Sequence, residues 1–155
     1  MQDFEIFEKL CFDGNLLEAQ RMHTSGFNIK KYMILGAVRG GNISLVKWLY
    51  SLGLFDIMTE AMFIEACKIG HLHIVEWLHS SIGVDIHVPD YCFQMKNYAF
   101  FVTTLYHKLN VAKYLHSLDS TVYQNHKKLL NDYTIFDLES GENTKSYNKY
   151  SVNCS

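Results

Sequence analysis

Histidine is the residue type in this chain best suited to chemistry, and four candidate ligands crowd together at His71, His73, Glu76 and His79. Imidazoles and a carboxylate at such spacing could hold a divalent metal; a structural zinc site needs four ligands and a catalytic one three plus water. On a helix at 100° per residue, His73 and Glu76 share one strip at i and i+3, His71 falls in the turn before it, and His79 points about 120° away. At most two ligands converge, so neither a metal nor another cofactor is expected. A second series, His23, Tyr50, His79 and His116, recurs at one equivalent helical position. Successive helices pack about 8–10 Å apart, too far for these side chains to form one metal shell. Partly buried hydrogen-bonding positions are expected there instead.

Thiol chemistry meets a similar obstacle. Cys11, Cys67, Cys92 and Cys154 show no C-x-x-C spacing, which favours reduced, separate thiols. A nucleophilic cysteine needs a depressed pKa beside a base, yet Cys11 and Cys67 fall on helical segments that a packed array buries. Gly40-Gly41 follows a helical segment rather than a strand, and no G-x-x-x-x-G-K is present, so a phosphate loop is absent. No catalytic residue is assigned and no enzyme is expected. A small metal-dependent or thiol hydrolase stays as the alternative, suggested by the histidine content alone.

The elements that position these residues repeat along the chain. Gly70-His-Leu-His-Ile-Val-Glu-Trp-Leu78 copies Gly41-Asn-Ile-Ser-Leu-Val-Lys-Trp-Leu49 almost position for position. Gly14 to Met22 keeps the glycine and the aliphatic spacing. His107 to Leu115 keeps Leu109, Val111, Tyr114 and Leu115 but loses the glycine. The anchors at 14, 41, 70 and 107 are 27, 29 and 37 residues apart, the period range of stacked supersecondary units. After each anchor runs a helical segment that is polar only on a narrow strip: Ser44, Lys47 and Ser51; His73, Glu76 and Ser80; Asn110, Lys113 and Ser117. A helix apolar over so much of its circumference needs cover on more than one side. Trp48 and Trp77 recur at one position of this pattern and are expected in the core between repeats.

A shorter helical segment precedes each anchor, over Asp3–Phe12, Lys31–Arg39, Glu60–Lys68 and Asn97–Leu105. Gly14, Gly41 and Gly70 can take positive φ where the first helix stops and reverses, with Asn15, Asn42 or His71 satisfying freed backbone groups beside them. Gly26, Gly53 and Gly83 are placed to end the second helices. The spacing therefore predicts an all-α array of about four helix-turn-helix repeats.

These residues resemble the ankyrin-repeat family. The third copy carries the resemblance best, in Gly70-His71-Leu72, Ile74-Val75, Leu78, Gly83-Val84-Asp85-Ile86 and an Ala66-Cys67 where the family has an alanine pair. The aromatic habit of Val-x-Trp-Leu and Ala-Lys-Tyr-Leu is similar to the divergent ankyrin arrays of giant DNA viruses that infect amoebae. The family's Thr-Pro-Leu-His helix start is absent, and spacings below its usual repeat of about 33 residues imply shortened connections without projecting fingers. The 37-residue step contains a decoy start, Asp90-Tyr91-Cys92-Phe93, ahead of Asn97-Tyr98-Ala99-Phe100, and Pro89 marks a loop there.

The resulting layout is an ankyrin-like solenoid over residues 1–137, with repeats near 3–29, 30–57, 58–87 and 96–119, and a capping helix over 121–131. Glu18 and Arg21 stand where other copies are apolar, as the polar outer face of an N-terminal cap requires. Residues 138–155, rich in Ser, Asn, Thr and Lys, read as a disordered tail.

A formal charge of −2 gives no excess for a polyanion, so nucleic acid is not expected. Neither a basic, apolar leader nor a run of about 18 apolar residues appears, which predicts a soluble cytoplasmic protein, in the host cytoplasm if viral, without membrane attachment. The resemblance implies a non-catalytic module, monomeric, that binds a protein partner, or else an adaptor subunit of a larger assembly. It implies contacts from the residue ten before each turn glycine and the two just before it. Those residues are Lys31, Arg39 and Gly40 in the second copy, Glu60, Lys68 and Ile69 in the third, and Asn97, Leu105 and Tyr106 in the fourth. Ile69 and Tyr106 are the expected anchors, with Arg39 and Lys68 steering an acidic surface.

Overall fold

The computed structural model describes residues 2–53, 58–89 and 97–122. The connection around 54–57, the decoy segment with Cys92, the capping helix beyond Val122, Cys154 and the tail over 138–155 lie outside the described residues. Eight α-helices occur among the described residues, and no strand does: α1 (Gln2–Asp13), α2 (Leu16–Thr24), α3 (Met33–Arg39), α4 (Ile43–Ser51), α5 (Thr59–Ile69), α6 (Leu72–Trp77), α7 (Tyr98–Leu105) and α8 (Leu109–Leu118). They form four pairs. Each first helix packs on the next, α1 on α3, α3 on α5 and α5 on α7, and also on its own second helix.

The packing follows from the pattern of side chains. Phe7, Ile34, Phe63 and Phe100, each seven residues before the turn, are fully buried, as are Leu45, Ile74 and Val111 of the second helices. Each such aliphatic side chain contributes about 1.5–3 kcal/mol relative to leaving it exposed. The strip positions Ser44, Lys47 and Ser51, His73, Glu76 and Ser80, and Asn110, Lys113 and Ser117 are all exposed, as the wheel predicts.

The turns interlock. Gly14, Gly41 and Gly70 all adopt positive φ, at 74°, 74° and 98°, which ends the first helix at a residue without the steric penalty of a side chain. Above each lies the side chain that follows the anchor of the next pair. A Cβ on Gly14 would come within 2.2 Å of Asn42 Oδ1, one on Gly41 within 2.7 Å of the His71 ring, and one on Gly70 within 2.8 Å of Lys108 Cδ. The glycine thus serves twice, for its backbone angle and for the close approach of the neighbouring turn. His107 keeps the left-handed backbone at φ 56°, and no fifth turn follows it among the described residues.

This corrects the expected role of Asn42 and His71. Only Asn15 caps locally, its Oδ1 accepting from the Glu18 N–H at 3.2 Å. Asn42 Nδ2–H instead donates back to Phe12 O at 2.8 Å, and His71 Nε2–H donates to Arg39 O at 3.0 Å. His73 Nε2–H likewise reaches Gly41 O at 2.9 Å. Asn42 and His71 each satisfy a carbonyl left over at the end of the preceding first helix, where four acceptors lack intrahelical partners, and His73 satisfies that of the turn glycine.

Rings join the second helices in the same direction. His23 meets Trp48 at 5.9 Å, Tyr50 meets Trp77 at 5.5 Å and His79 meets Tyr114 at 6.4 Å, all edge to face. Trp48 and Trp77 are only half-buried, contrary to the expectation of a full core position. The indole is long enough for its outer part to pass the neighbouring helix, and Lys47 Nζ lies 5.7 Å from the Trp77 ring centroid, an arrangement that keeps the ammonium in water.

Two boundaries differ in detail. α6 ends at Trp77 and widens into a π-helical turn over Leu78–Ile82, just before the expected stop at Gly83. Gly83 follows its anchor by 13 residues where Gly26 and Gly53 follow theirs by 12, and a π turn absorbs one extra residue without breaking the helix. α3 begins at Met33, which leaves Lys31 in the preceding turn.

At the first pair, Arg21 and Glu18 form an exposed ion pair at 3.1 Å. Such a pair is screened and entropically opposed. Arg21→Ala should therefore shift the unfolding free energy by no more than about 0.5 kcal/mol in a urea titration; a loss of several kcal/mol would place a packed surface there.

Candidate protein-binding surface

The first helices turn one face to solvent along residues spaced i, i+3, i+4 and i+7. On α1 this face carries Glu5, Glu8, Lys9 and Phe12. The turn before α3 and α3 itself give Tyr32, Leu35, Gly36 and Arg39, and α5 gives Ala61, Ile64, Glu65 and Lys68. On α7 the row becomes apolar, with Tyr98 and Phe101 half-buried and Leu105 47% exposed, and Tyr106 beside it is 44% exposed.

Most of the nine expected contact residues lie on or beside this face. Lys31 and Glu60 are exposed. Arg39 is exposed, but its Nε–H donates to Glu65 Oε1 at 2.7 Å, so its charge is matched from the next pair. Lys68 holds its ammonium 5.3 Å from the Tyr106 ring centroid, which orients the ring and covers part of it. Gly40 presents no side chain and is closed in: a Cβ there would come within 2.0 Å of Phe12 O. Ile69 is half-buried, not exposed, and lines a cleft of about 270 Å³ with His107, Lys108 and Leu109.

Asn97 overturns the expectation outright. It is 3% exposed, adopts the left-handed region at φ 60°, and its Oδ1 faces His87 Nδ1. The column ten residues before the turn is exposed at Lys31 and Glu60 and buried here.

The sequence reading missed Phe12 and Tyr32, both exposed, and the half-buried Leu35, Ile64 and Phe101. Phe12 stands two before Gly14, so the spacing used for Arg39, Lys68 and Leu105 would have found it. The other four follow from one helical face rather than from fixed positions near the turn.

The two described thiols, Cys11 and Cys67, are not activated. Burial, then the nearby Glu8 charge, pushes Cys11 up to about 12, and burial drives Cys67 upward as well. A thiol held protonated is a packing group. Iodoacetamide at neutral pH should leave both unmodified in the folded protein and label both after denaturation, as read by peptide mass spectrometry; labelling of Cys67 in the fold would contradict its burial. The histidine cluster is likewise engaged with the backbone, since His71 and His73 each give Nε2–H to a carbonyl of the preceding pair. Among the described residues no three His, Cys, Asp or Glu side chains converge as a metal site. Burial, reinforced by Glu76, raises the Tyr114 phenol, which keeps that inter-helix ring neutral.

No family model, curated protein or solved structure matches the chain. Its reading therefore rests on its own residues. No helix among the described residues is long and apolar enough to cross a membrane.

Proposed function

We propose that this protein is a non-catalytic interaction module, an ankyrin-like array of four helix pairs that binds a protein partner through the open face of its first helices. The observation that carries the reading is the row ending in Leu105 and Tyr106, large apolar side chains left 47% and 44% exposed beside the cation Lys68. Aromatic and aliphatic anchors beside charged groups have the composition that supplies most binding energy at protein interfaces. The ankyrin reading is supported by the glycine turns, the Gly-x-Asp-Ile close of the third pair and the interlocked register. With Arg39 paired to Glu65, anchoring shifts toward α7, and Leu105 with Tyr106 replaces the pair Ile69 and Tyr106.

An affinity capture from cells that express the protein, read by mass spectrometry, tests this with two variants of the full chain. Leu105→Ala with Tyr106→Ala should lose the captured partner while the melting temperature holds. Lys47→Ala with Lys113→Ala, on the exposed strip of the second helices, should retain it. Loss from the strip variant with retention in the α7 variant would put binding on the other side and refute the proposal.

A further inference from the structure

Among the described residues only two hold a left-handed backbone without being glycine, Asn97 at φ 60° and His107 at φ 56°. They bracket α7. Side chains other than glycine are disfavoured in that region, asparagine less than most, so the fourth pair carries backbone strain at both ends of its first helix. The other three turns carry glycine at the equivalent position.

A strap offsets this strain. Between Gly83 and Pro89 the chain alternates, with Val84, Ile86 and Val88 buried and Asp85, His87 and Pro89 exposed. Its two ends are fixed, because His79 Nδ1–H donates to Val84 O at 3.0 Å and the Tyr98 N–H donates to Val88 O at 3.0 Å. From its middle, the His87 ring reaches both helices of the fourth pair. Nδ1 meets Asn97 Oδ1 at the start of α7, and Nε2 lies 3.3 Å from Asp119 Oδ2 at the end of α8. The Asp119 carboxylate is held in turn by the Thr121 N–H at 2.8 Å and hydroxyl at 2.9 Å.

We propose that the fourth helix pair is a latched unit, opening from the array before the other three, with His87 as its latch. Opening starts where local stability is lowest. Strain at Asn97 and His107 selects the fourth pair over the other three, whose turns have Gly14, Gly41 and Gly70. The Thr121 N–H and hydroxyl, with a smaller contribution from the neighbouring His87, hold the Asp119 carboxyl below its usual range.

Native-state hydrogen exchange of the full chain, read by mass spectrometry, tests the latch. Amides of α7 and α8 should exchange about tenfold or more faster than those of α1 to α6. His87→Ala should raise exchange in α7 and α8 a further fivefold or so and leave α1 to α4 unchanged; Asp119→Asn should give a smaller rise in the same place. His107→Gly, which relieves strain and does not touch the latch, should slow exchange in α7 and α8. Uniform exchange across the four pairs, opening of α1 and α2 first, an equal rise everywhere in His87→Ala, or no slowing in His107→Gly would each overturn the proposal.

Discussion

Alanine at Gly40 should cost the fold about 3 kcal/mol or more, the upper range for forcing extra atoms into a packed site. Gly40 has an ordinary helical backbone, φ −73°, so no conformational penalty attends the change. The added Cβ would instead come within 2.0 Å of Phe12 O, 2.8 Å of Phe12 C and 2.5 Å of Asn42 Nδ2. Backbone atoms cannot swing aside as a side chain can, so α1 must separate from α3 or lose the Asn42 bonds to its last carbonyls. Gly53→Ala isolates the other penalty, because Gly53 has φ 69° and nothing within 4 Å of the added carbon. It should cost about 1 kcal/mol, the price of a left-handed backbone alone. Gly41→Ala combines both effects and should fall between them, since the clashing His71 ring can rotate. Urea titration of the three variants checks the order; a Gly40→Ala change smaller than that of Gly53→Ala would mean that the turns do not interlock.

The second large effect is in the core. Phe63→Ala should destabilise by about 3–5 kcal/mol, the range for deleting a buried ring and leaving a cavity. Phe63 is fully buried on α5, which packs against α3 on one side and α7 on the other, so collapse on either side would disturb a second interface. A domain holds only about 5–15 kcal/mol in all, and Phe63→Ala could leave the chain barely folded. Trp77→Ala should cost less than Phe63→Ala, because part of the indole remains in water. If the tryptophan change proves the costlier of the two, the ring contact with Tyr50 is buried more deeply than the geometry shows.

The contrast between Phe63 and Trp77 marks what the sequence can and cannot convey. Period 3.6 fixes direction, so the strip of Lys47, Glu76 and Lys113 and the buried Leu45, Ile74 and Val111 were legible from one strand of text. Depth was not, because it depends on how far a side chain extends past a neighbour such as Tyr50, 27 residues from Trp77. The glycine period was also legible, and positive φ was a sound inference from residue type. Its second cause, a side chain from the next pair resting on Cα, needs a contact between residues 28 to 38 apart, such as Gly14 with Asn42 or Gly70 with Lys108. Asn97 failed for a related reason: its column is exposed in the second and third pairs, whereas at the start of α7 the residue is buried against the His87 ring, ten residues away in sequence. On the open face, the spacing rule found Leu105 and Tyr106 and reaches Phe12 once extended to the first copy, but it does not reach Tyr32, which lies on the same side.

The measurement that bears most directly on the interlocked array is a set of nuclear Overhauser contacts in the full-length protein. The account predicts cross-peaks from the Gly14 α-protons to the Asn42 side chain, from Gly41 to the His71 ring and from Gly70 to the Lys108 methylenes. Helix signals with those three glycines silent, or with contacts to residues of their own pair alone, would contradict it.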